Sequence, residues 1–500
     1  MPVKKAYQST PSGRNSTAKF SSINYPLERQ PKRFNKGRAI LVGLGLASAS
    51  IISAAVGAFL AIAMSSSSPL QQAELSTEEQ KVFSQGETVT ARNLNLPELK
   101  RPINILVLGI KVISSDLEDR GIEFEKQDVG YHHLVNSFDG LSDSLLLLRF
   151  DPQEEQVAVL SIPRDTRVPI DGYGVSKINH ANDYGGPALT ASVTSELLGG
   201  INIDRYVRVN VQGVEKLIDA LGGVTLNVPK NMKYNDFSQH LYIDLKKGVQ
   251  HLDGDKAMQF LRYRYDSYGD ISRVQRQQML MRAAMEQTLR PATVVKIPKI
   301  LSVIQSHLDT NLTVRELMAL SNFAAKTEGT DFKMMMLPGD FNSADARVSY
   351  WLPNSEKINR LMRKHFNLPG TLAEASLRDN QFASLEGVPD ISNPRIRISV
   401  QDTTKNQEVL QSALDTLRDA GYKRVFASKN WQTPLAKTRI IAQSGDDDAA
   451  LEVRSTLGVG KVVVESTGVL YSDVTVQLGR DWQGQLQRLL ESEGTLNIEH

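Results

Sequence analysis

The longest apolar-rich stretch of the chain is Ala39–Met64, AILVGLGLASASIISAAVGAFLAIAM, which carries no charged side chain. As a helix at about 1.5 Å per residue it reaches roughly 39 Å, enough to cross a hydrocarbon core of about 30 Å with some tilt. It predicts one transmembrane helix. Downstream the apolar runs shorten and change period. Ile103–Gly109 (INILVLG) is a continuous apolar run of the kind buried strands show. Ser144–Phe150 (SLLLLRF) and Gln156–Ile162 (QVAVLSI) flank DPQEE, a turn signal, and so predict a hairpin. Gly186–Leu198 reads as a helix ending at Gly199-Gly200, with a short strand around Tyr206–Val211. Gly213–Leu221 reads as a second helix, closed by Gly222-Gly223, and VTLNV (Val224–Val228) is again extended. A further helix is expected from Ser272 to about Leu289. The stretch Ile297–Phe366 reads as helical with one strand at FKMMMLP. Strands interleaved with helices predict a layered α/β or α+β domain.

A mixed segment bounded by Pro and Asn separates this region from a last one. There RIRISV (Arg395–Val400) alternates, and Glu408–Ala420 is an amphipathic helix stopped at Gly421. TRIIAQ, a helix from Asp447, VVVES and VTVQLG follow. This β-α-β-like series is long enough for a domain of its own. The resulting boundaries are 1–38 (tail), 39–64 (membrane helix), 65–101 (stem), 102–368 (main domain), 369–393 (linker), 394–482 (small α/β domain) and 483–500 (tail).

Charge refines this layout. The formal net charge is only +2. Yet Lys4, Lys5, Arg14, Lys19, Arg29, Lys32, Arg33, Lys36 and Arg38 precede the apolar run against a single acid, Glu28. The positive-inside rule places the N-terminus in the cytoplasm and the rest across the cell membrane. A cleaved signal peptide would have a shorter apolar region nearer the start, so an uncleaved anchor is expected. Without the tail the chain is mildly acidic, which argues against a nucleic-acid binder. There are no cysteines, which excludes disulfides, thiol catalysis and cysteine metal sites. His132, His133 and His180 lack metal-site spacing and read as ordinary surface or loop residues.

Asp255–Gln278, DKAMQFLRYRYDSYGDISRVQRQQ, carries the most distinctive chemistry. Arg262 and Arg264 are two apart and share a face if extended. Arg273 and Gln277 are four apart and share a face if helical, with Arg276 beside them. Converging guanidinium groups suit a phosphate or pyrophosphate. Taken alone, the run reads more readily as a solvated, basic helix start after a loop.

Other motifs change that balance. NILVLG, SDSLLLLRFDP, SIPRDTRVPI, KINHA and RYRYD…GDISRVQRQQ follow one another in the order and spacing of the LytR-CpsA-Psr family, which the chain resembles. The last region, with Gly421-Tyr422 and DVTVQLG (Asp473–Gly479), is similar to the LytR C-terminal domain often joined to that core. The resemblance implies an α/β fold: a central mixed β-sheet flanked by helices, preceded by one transmembrane helix and followed by a small separate α/β domain. It implies a cell-envelope phosphotransferase that moves a glycopolymer from a polyprenyl-pyrophosphate carrier to a peptidoglycan hydroxyl. It also implies a greasy tunnel in the domain for the prenyl chain of the membrane lipid, with magnesium assisting. Carried over, Arg164, Arg262, Arg264, Arg273 and Gln277 match the pyrophosphate-binding set. Asp143 matches an acidic residue tied to metal and phosphate, and serves as metal ligand or base. Lys177 and Asn179 match the pocket-lining KIN element. Arg276 joins the substrate-binding residues, and Asp165 and Asp270 take supporting roles.

One departure stands out. Lys111 occupies a position near the first strand where the family commonly has an Asp. Lys111 supplies part of the metal's charge to the phosphate, or Asp116, Asp119 or Asp139 folds back to replace the carboxylate, or turnover is lost. The alternatives to transfer are a polyprenyl-pyrophosphate phosphatase or pyrophosphatase, and a non-catalytic scaffold that binds glycan or lipid phosphate. Transcriptional attenuation is set aside, because the tail before Ala39 shows no helix-turn-helix pattern. Arg149, Arg205 and Arg208 lie outside the motifs and are expected in structural ion pairs. Asp446–Asp448 is expected to cap a helix.

Overall fold

The structure, a computed structural model, describes residues 72–84, 86–90, 97–111, 138–236, 241–263, 270–288, 296–326, 332–342, 348–368, 396–404, 406–428, 434–469 and 471–485. The expected membrane helix at 39–64 lies outside them. Among the described residues no helix is long and apolar enough to cross a membrane.

The main domain starts with strand β1 (Ile103–Lys111), then β2 (Leu141–Asp151) and β3 (Gln156–Ile162). A small hairpin, β4 (Arg167–Ile170) and β5 (Gly174–Lys177), leads into helix α1 (His180–Leu197). Strand β6 (Arg205–Asn210) and helix α2 (Val211–Leu221) follow. After β7 (Val224–Val228), β8 (Met232–Asp236), β9 (Leu241–Leu245) and β10 (Gly248–Leu252) come α3 (Gly254–Arg262) and α4 (Asp270–Thr288). Then come α5 (Ile297–Ile304), β11 (Leu308–Thr310), α6 (Val314–Lys326), β12 (Phe332–Met336), β13 (Gly339–Phe341), β14 (Trp351–Pro353) and α7 (Ser355–Phe366).

Six strands form the central mixed sheet in the order β11-β6-β1-β2-β3-β12. The expected β2–β3 hairpin is antiparallel, whereas β6 runs parallel to β1 and β12 parallel to β3. The continuous apolar run of β1 is explained by burial on both faces. Leu106, Leu108 and Ile110 pack into a core with Ala188, Ala191 and Val193 of α1. Ile103 and Ile105 face the opposite side with Leu312 and Leu320. A separate core joins Ile218 of α2, strands β7 to β9, Phe260 of α3, and Leu280 and Ala283 of α4. This forms a side arm on the main domain.

Three expectations change. Helix α1 starts at His180, before Gly186; the glycine pair marks a kink inside it, with Gly186 at φ 60°. Arg262 is helical, not extended: the Asp253 side chain accepts from Lys256 N at 2.9 Å, and Ala257 and Phe260 enter the arm's core. The chain becomes extended only at Tyr263. Ile297–Phe366 holds more strand than its composition predicts, since β11 completes the sheet and β13 pairs with β14.

The last region has its own five-stranded sheet and core. Its elements are β15 (Arg397–Asp402), α8 (Gln407–Asp419), β16 (Arg424–Ala427), β17 (Arg439–Ala442), α9 (Asp447–Leu457), β18 (Lys461–Val463) and β19 (Val474–Leu478). Asp446 caps α9, its side chain accepting from Ala449 N at 3.1 Å, as expected for that acidic cluster.

Candidate active site

The site is built at one end of the central sheet, where β2 carries a defect. Gly109 pairs with Ser144 and Ile110 with Ser142, so Asp143 is the extra residue of a β-bulge. Bulges bend a strand and re-aim a side chain, and they recur beside active sites. A Cβ on Gly109 would lie 3.1 Å from Ser144 Cβ, so the small residue lets the strands close up next to the bulge.

Opposite the bulge, the chain leaves β3 at Ile162 and turns through Pro163–Thr166. Thr166 N donates to Pro163 O at 3.0 Å and its hydroxyl donates to the same carbonyl at 2.6 Å. Backbone bonds lace this turn to the KIN segment. Ile178 N donates to Thr166 O at 2.9 Å, Asn179 N to Arg164 O at 3.3 Å, and Ser142 N to Asn179 O at 3.2 Å. Trp351 N donates to Asp165 O at 2.9 Å, so β14 closes the turn from the other side. The backbone is fixed before any ligand arrives.

These supports present a ladder of alternating charge. Arg164 Nη1 donates to Asp143 Oδ1 at 2.8 Å, and Arg164 Nε lies 3.5 Å from Asp165 Oδ2. Lys177 Nζ lies 2.7 Å from Asp165 Oδ1 and 5.9 Å from the centre of the Tyr350 ring. The two cations keep 27% and 26% of their side-chain surface exposed. They are held at the edge of solvent, where an incoming anion can reach them. Asn179 is buried, its Oδ1 has no hydrogen-bond partner, and it is the N-cap residue of α1. The short helical segment that follows, ahead of the Gly185-Gly186 break, thus begins beside the Arg164 turn.

The structure thus joins Asp143, Arg164, Asp165 and Lys177. Asp165 does more than support: it holds both cations. Lys111 ends β1, with its Cα paired to Leu141 beside the bulge. Arg262 ends α3; Arg273 and Gln277 lie on α4, the helix that Asp270 begins. Arg264, Asp116 and Asp119, and His132 and His133, lie outside the described residues. Arg276 requires a correction. Its side chain is buried at 3% exposure, donates to Tyr263 O and lies 5.7 Å over the Tyr263 ring. It braces α4 against the end of α3 rather than facing a ligand. His180 stacks on Tyr184, ring centres 5.5 Å apart. Among the described residues no cluster of three His, Cys, Asp or Glu side chains forms a metal cage. Tyr350 and Trp351 were not legible as site residues, because the stretch around them reads as helical and only the tertiary bridge to Thr166 brings them in.

Arg149, Arg205 and Arg208 take the structural roles expected of them. Arg149 pairs with Asp151 at 3.0 Å, Arg205 with Glu316 at 2.7 Å, and Arg208 with buried Asp309. Burial pushes the Glu316 carboxyl up, but bonds from Arg205, Thr313 and Thr88 outweigh it and hold it below its ordinary value.

Residues 66–367 match the profile of the LytR_cpsA_psr family, and residues 395–482 match that of the LytR cell envelope-related transcriptional attenuator. A polyisoprenyl-teichoic acid–peptidoglycan teichoic acid transferase, TagU, from Oceanobacillus iheyensis is 31% identical over 270 residues, covering 52% of this chain and 74% of that protein. Its namesake from Bacillus cereus is 30% identical over 273 residues, covering 53% and 80%. The crystal structure of B. subtilis TagV is 26% identical, with a TM-score of 0.44, covering 54% of this chain and 99% of that one. The first profile alone spans more than half of the sequence, and the five motifs fall on the bulge, turn, KIN segment and helices described above. The chain belongs to the LytR-CpsA-Psr family.

Proposed function

We propose that this chain is a membrane-anchored phosphotransferase that moves a glycopolymer from a polyprenyl-pyrophosphate carrier to a peptidoglycan hydroxyl on the outer side of the cell membrane. The observation that carries this reading is the partly buried ladder Asp143–Arg164–Asp165–Lys177, whose two cations keep solvent access and which is built on family motif positions. The relatives TagU of O. iheyensis and B. cereus are named for this class of transfer.

Phosphoryl transfer asks of a protein mainly alignment and neutralisation of charge on the phosphoryl oxygens. Arg164 and Lys177 supply two cations whose positions Asp165 fixes in advance. Arg262, Arg264, Arg273 and Gln277, matched to the family's pyrophosphate-binding set, would complete the charge on the phosphates. The acceptor hydroxyl attacks the phosphorus that bears the glycan. The bond from that phosphorus to the bridging oxygen breaks, and polyprenyl phosphate leaves with the electron pair. The hydroxyl proton passes to a carboxylate, for which Asp143 is the candidate.

Magnesium commonly takes one or two carboxylates together with substrate phosphates and water, and Asp143 with Asp165 fits that donor set. When bound it would neutralise charge on the phosphoryl oxygens. Lys111, whose Cα pairs with that of Leu141 at the end of β1, would take the part of a point charge on the phosphate.

The test is reconstitution. The full chain in detergent is incubated with a polyprenyl-pyrophosphate-linked glycan, peptidoglycan and magnesium, and the products are read by mass spectrometry. A phosphodiester-linked glycan with one polyprenyl phosphate released per transfer is the expected result. Release of glycan phosphate to water, regardless of acceptor, would replace the reading by a phosphatase. Binding without turnover would replace it by a scaffold.

A further inference from the structure

The C-terminal domain has its own core, yet it is docked on the catalytic domain through a specific seam. Strand β12 forms one edge of the central sheet. Open edges of this kind invite unwanted pairing unless covered. Here Met334 N donates to Val464 O at 3.1 Å and Met336 N to Gln443 O at 3.0 Å. Val464 packs against the cores of both domains. Ion pairs flank the seam: Lys357 with Asp473 at 2.7 Å, Lys364 with Asp448 at 2.7 Å, and Arg397 with Asp340 at 2.6 Å.

The residue after Val464 reaches further. Glu465 is buried and sits between two guanidinium groups, Arg439 of its own domain and Arg282 of α4. Thr467 Oγ1 adds a bond at 3.1 Å. Burial pushes the carboxyl of Glu465 up, and the two arginines outweigh it, so it stays charged. Within the catalytic domain, helix α4 packs Leu280 and Ala283 into the arm's core, and Arg276 donates to Tyr263 O and Gln287 Nε2 to Leu221 O at 3.0 Å. Glu465 adds a hold from outside that domain. Positions 273 and 282 are nine apart on α4, so they lie on opposite sides of the axis and about 13.5 Å apart along it. The C-terminal domain grips the helix on the side away from the position assigned to pyrophosphate.

We infer that the C-terminal domain is a positioning element of the catalytic site: Glu465, through Arg282, fixes the helix that carries Arg273 and Gln277. This rests on the reading of those two residues as pyrophosphate ligands. Glu465 is a positioning residue and touches no substrate. Val464, whose carbonyl accepts from β12 at the sheet edge, is followed directly by the carboxylate that holds α4.

The test uses the full chain and four variants: Glu465→Gln, Glu465→Asp, Arg282→Gln and Asp473→Asn. The last loosens the seam without touching α4. Two quantities are read: hydrogen exchange of the α4 amides, and affinity for geranylgeranyl pyrophosphate as a short lipid pyrophosphate. Glu465→Gln and Arg282→Gln should speed α4 exchange and weaken binding by at least about fivefold, the low end of the coupling between linked sites. Glu465→Asp should restore much of both, and Asp473→Asn should leave both near the parent values. Unchanged α4 exchange in Glu465→Gln and Arg282→Gln would overturn the inference, as would equal loss in Asp473→Asn. Should the parent bind no lipid pyrophosphate, the ligand assignment falls while α4 exchange still decides the brace.

Discussion

Arg208 and Arg164 are the same residue type with a carboxylate partner each, in the same domain, and they do opposite jobs. Arg208 and Asp309 keep only 7% and 3% of their side-chain surface, and Arg208 also donates to Phe138 O at 3.2 Å. Asp309 in turn accepts from Ala73 N at 2.7 Å and from the Tyr206 hydroxyl at 3.2 Å. Every partner there is internal. Burial, followed by the charge of Asp309, raises the Tyr206 hydroxyl well above its ordinary value, so it stays a donor at any physiological pH. Arg164 instead sits at a bulge and a turn, paired to Asp143 and Asp165 but open to solvent. The difference lies in what surrounds the pair. A sealed pair fixes the fold, whereas a ladder left open at the sheet's end keeps charge available for a ligand.

The largest effect that would break this contrast comes from Arg208→Ala. It leaves Asp309 buried with its charge uncompensated and should cost about 3–5 kcal/mol of stability. Denaturant unfolding checks this, and a loss near that of an exposed pair, about 0–1 kcal/mol, would show that the two sites are not different in kind.

A smaller effect concerns the domain seam. His365 is buried, and its Nε2 donates to Gly445 O at 2.8 Å, while its Nδ1 has no partner. Desolvation lowers its pKa; the Gly445 carbonyl and Asp447 oppose this, and Lys333 and Lys364 add to it. Because the folded value lies below the unfolded one, the stabilising contribution is present above the ordinary histidine range and is lost as pH falls through it. Protection of the Met334 and Met336 amides, taken relative to the intrinsic exchange rate at each pH, should therefore fall as pH drops below about 6.5. Glu465 and Asp473, both held below their ordinary values by arginine and lysine partners, resist loss until about pH 4. His365→Gln should abolish the upper step and keep the lower one.

Much of this was legible beforehand because it depends on local pattern. The β1 run, the β2–β3 hairpin and the Gly222 helix stop each declare themselves within a few residues. The structural roles of Arg149, Arg205 and Arg208 followed from their lying outside the motifs. What was not legible depends on distant partners. Arg262 was paired with Arg264 on an extended segment, but the Asp253 cap and Phe260 packing make it helical. Arg276 looked like a ligand beside Arg273, and only its burial under Tyr263 assigns it to structure. The bulge at Asp143 is a property of two strands together. The docking of β12 against Val464 has no sequence signal, since an edge strand and an interior strand share the same apolar composition.

The most direct measurement is calorimetric titration of the full chain with geranylgeranyl pyrophosphate in magnesium, for the parent, Arg164→Ala and Arg208→Lys. The account predicts binding to the parent, a loss of about tenfold or more in Arg164→Ala from removal of a charge-assisted contact worth about 1.5–3 kcal/mol, and an Arg208→Lys variant that binds like the parent wherever it remains folded. Equal binding by the parent and Arg164→Ala would contradict it, because the open ladder would then not be where the anion is held.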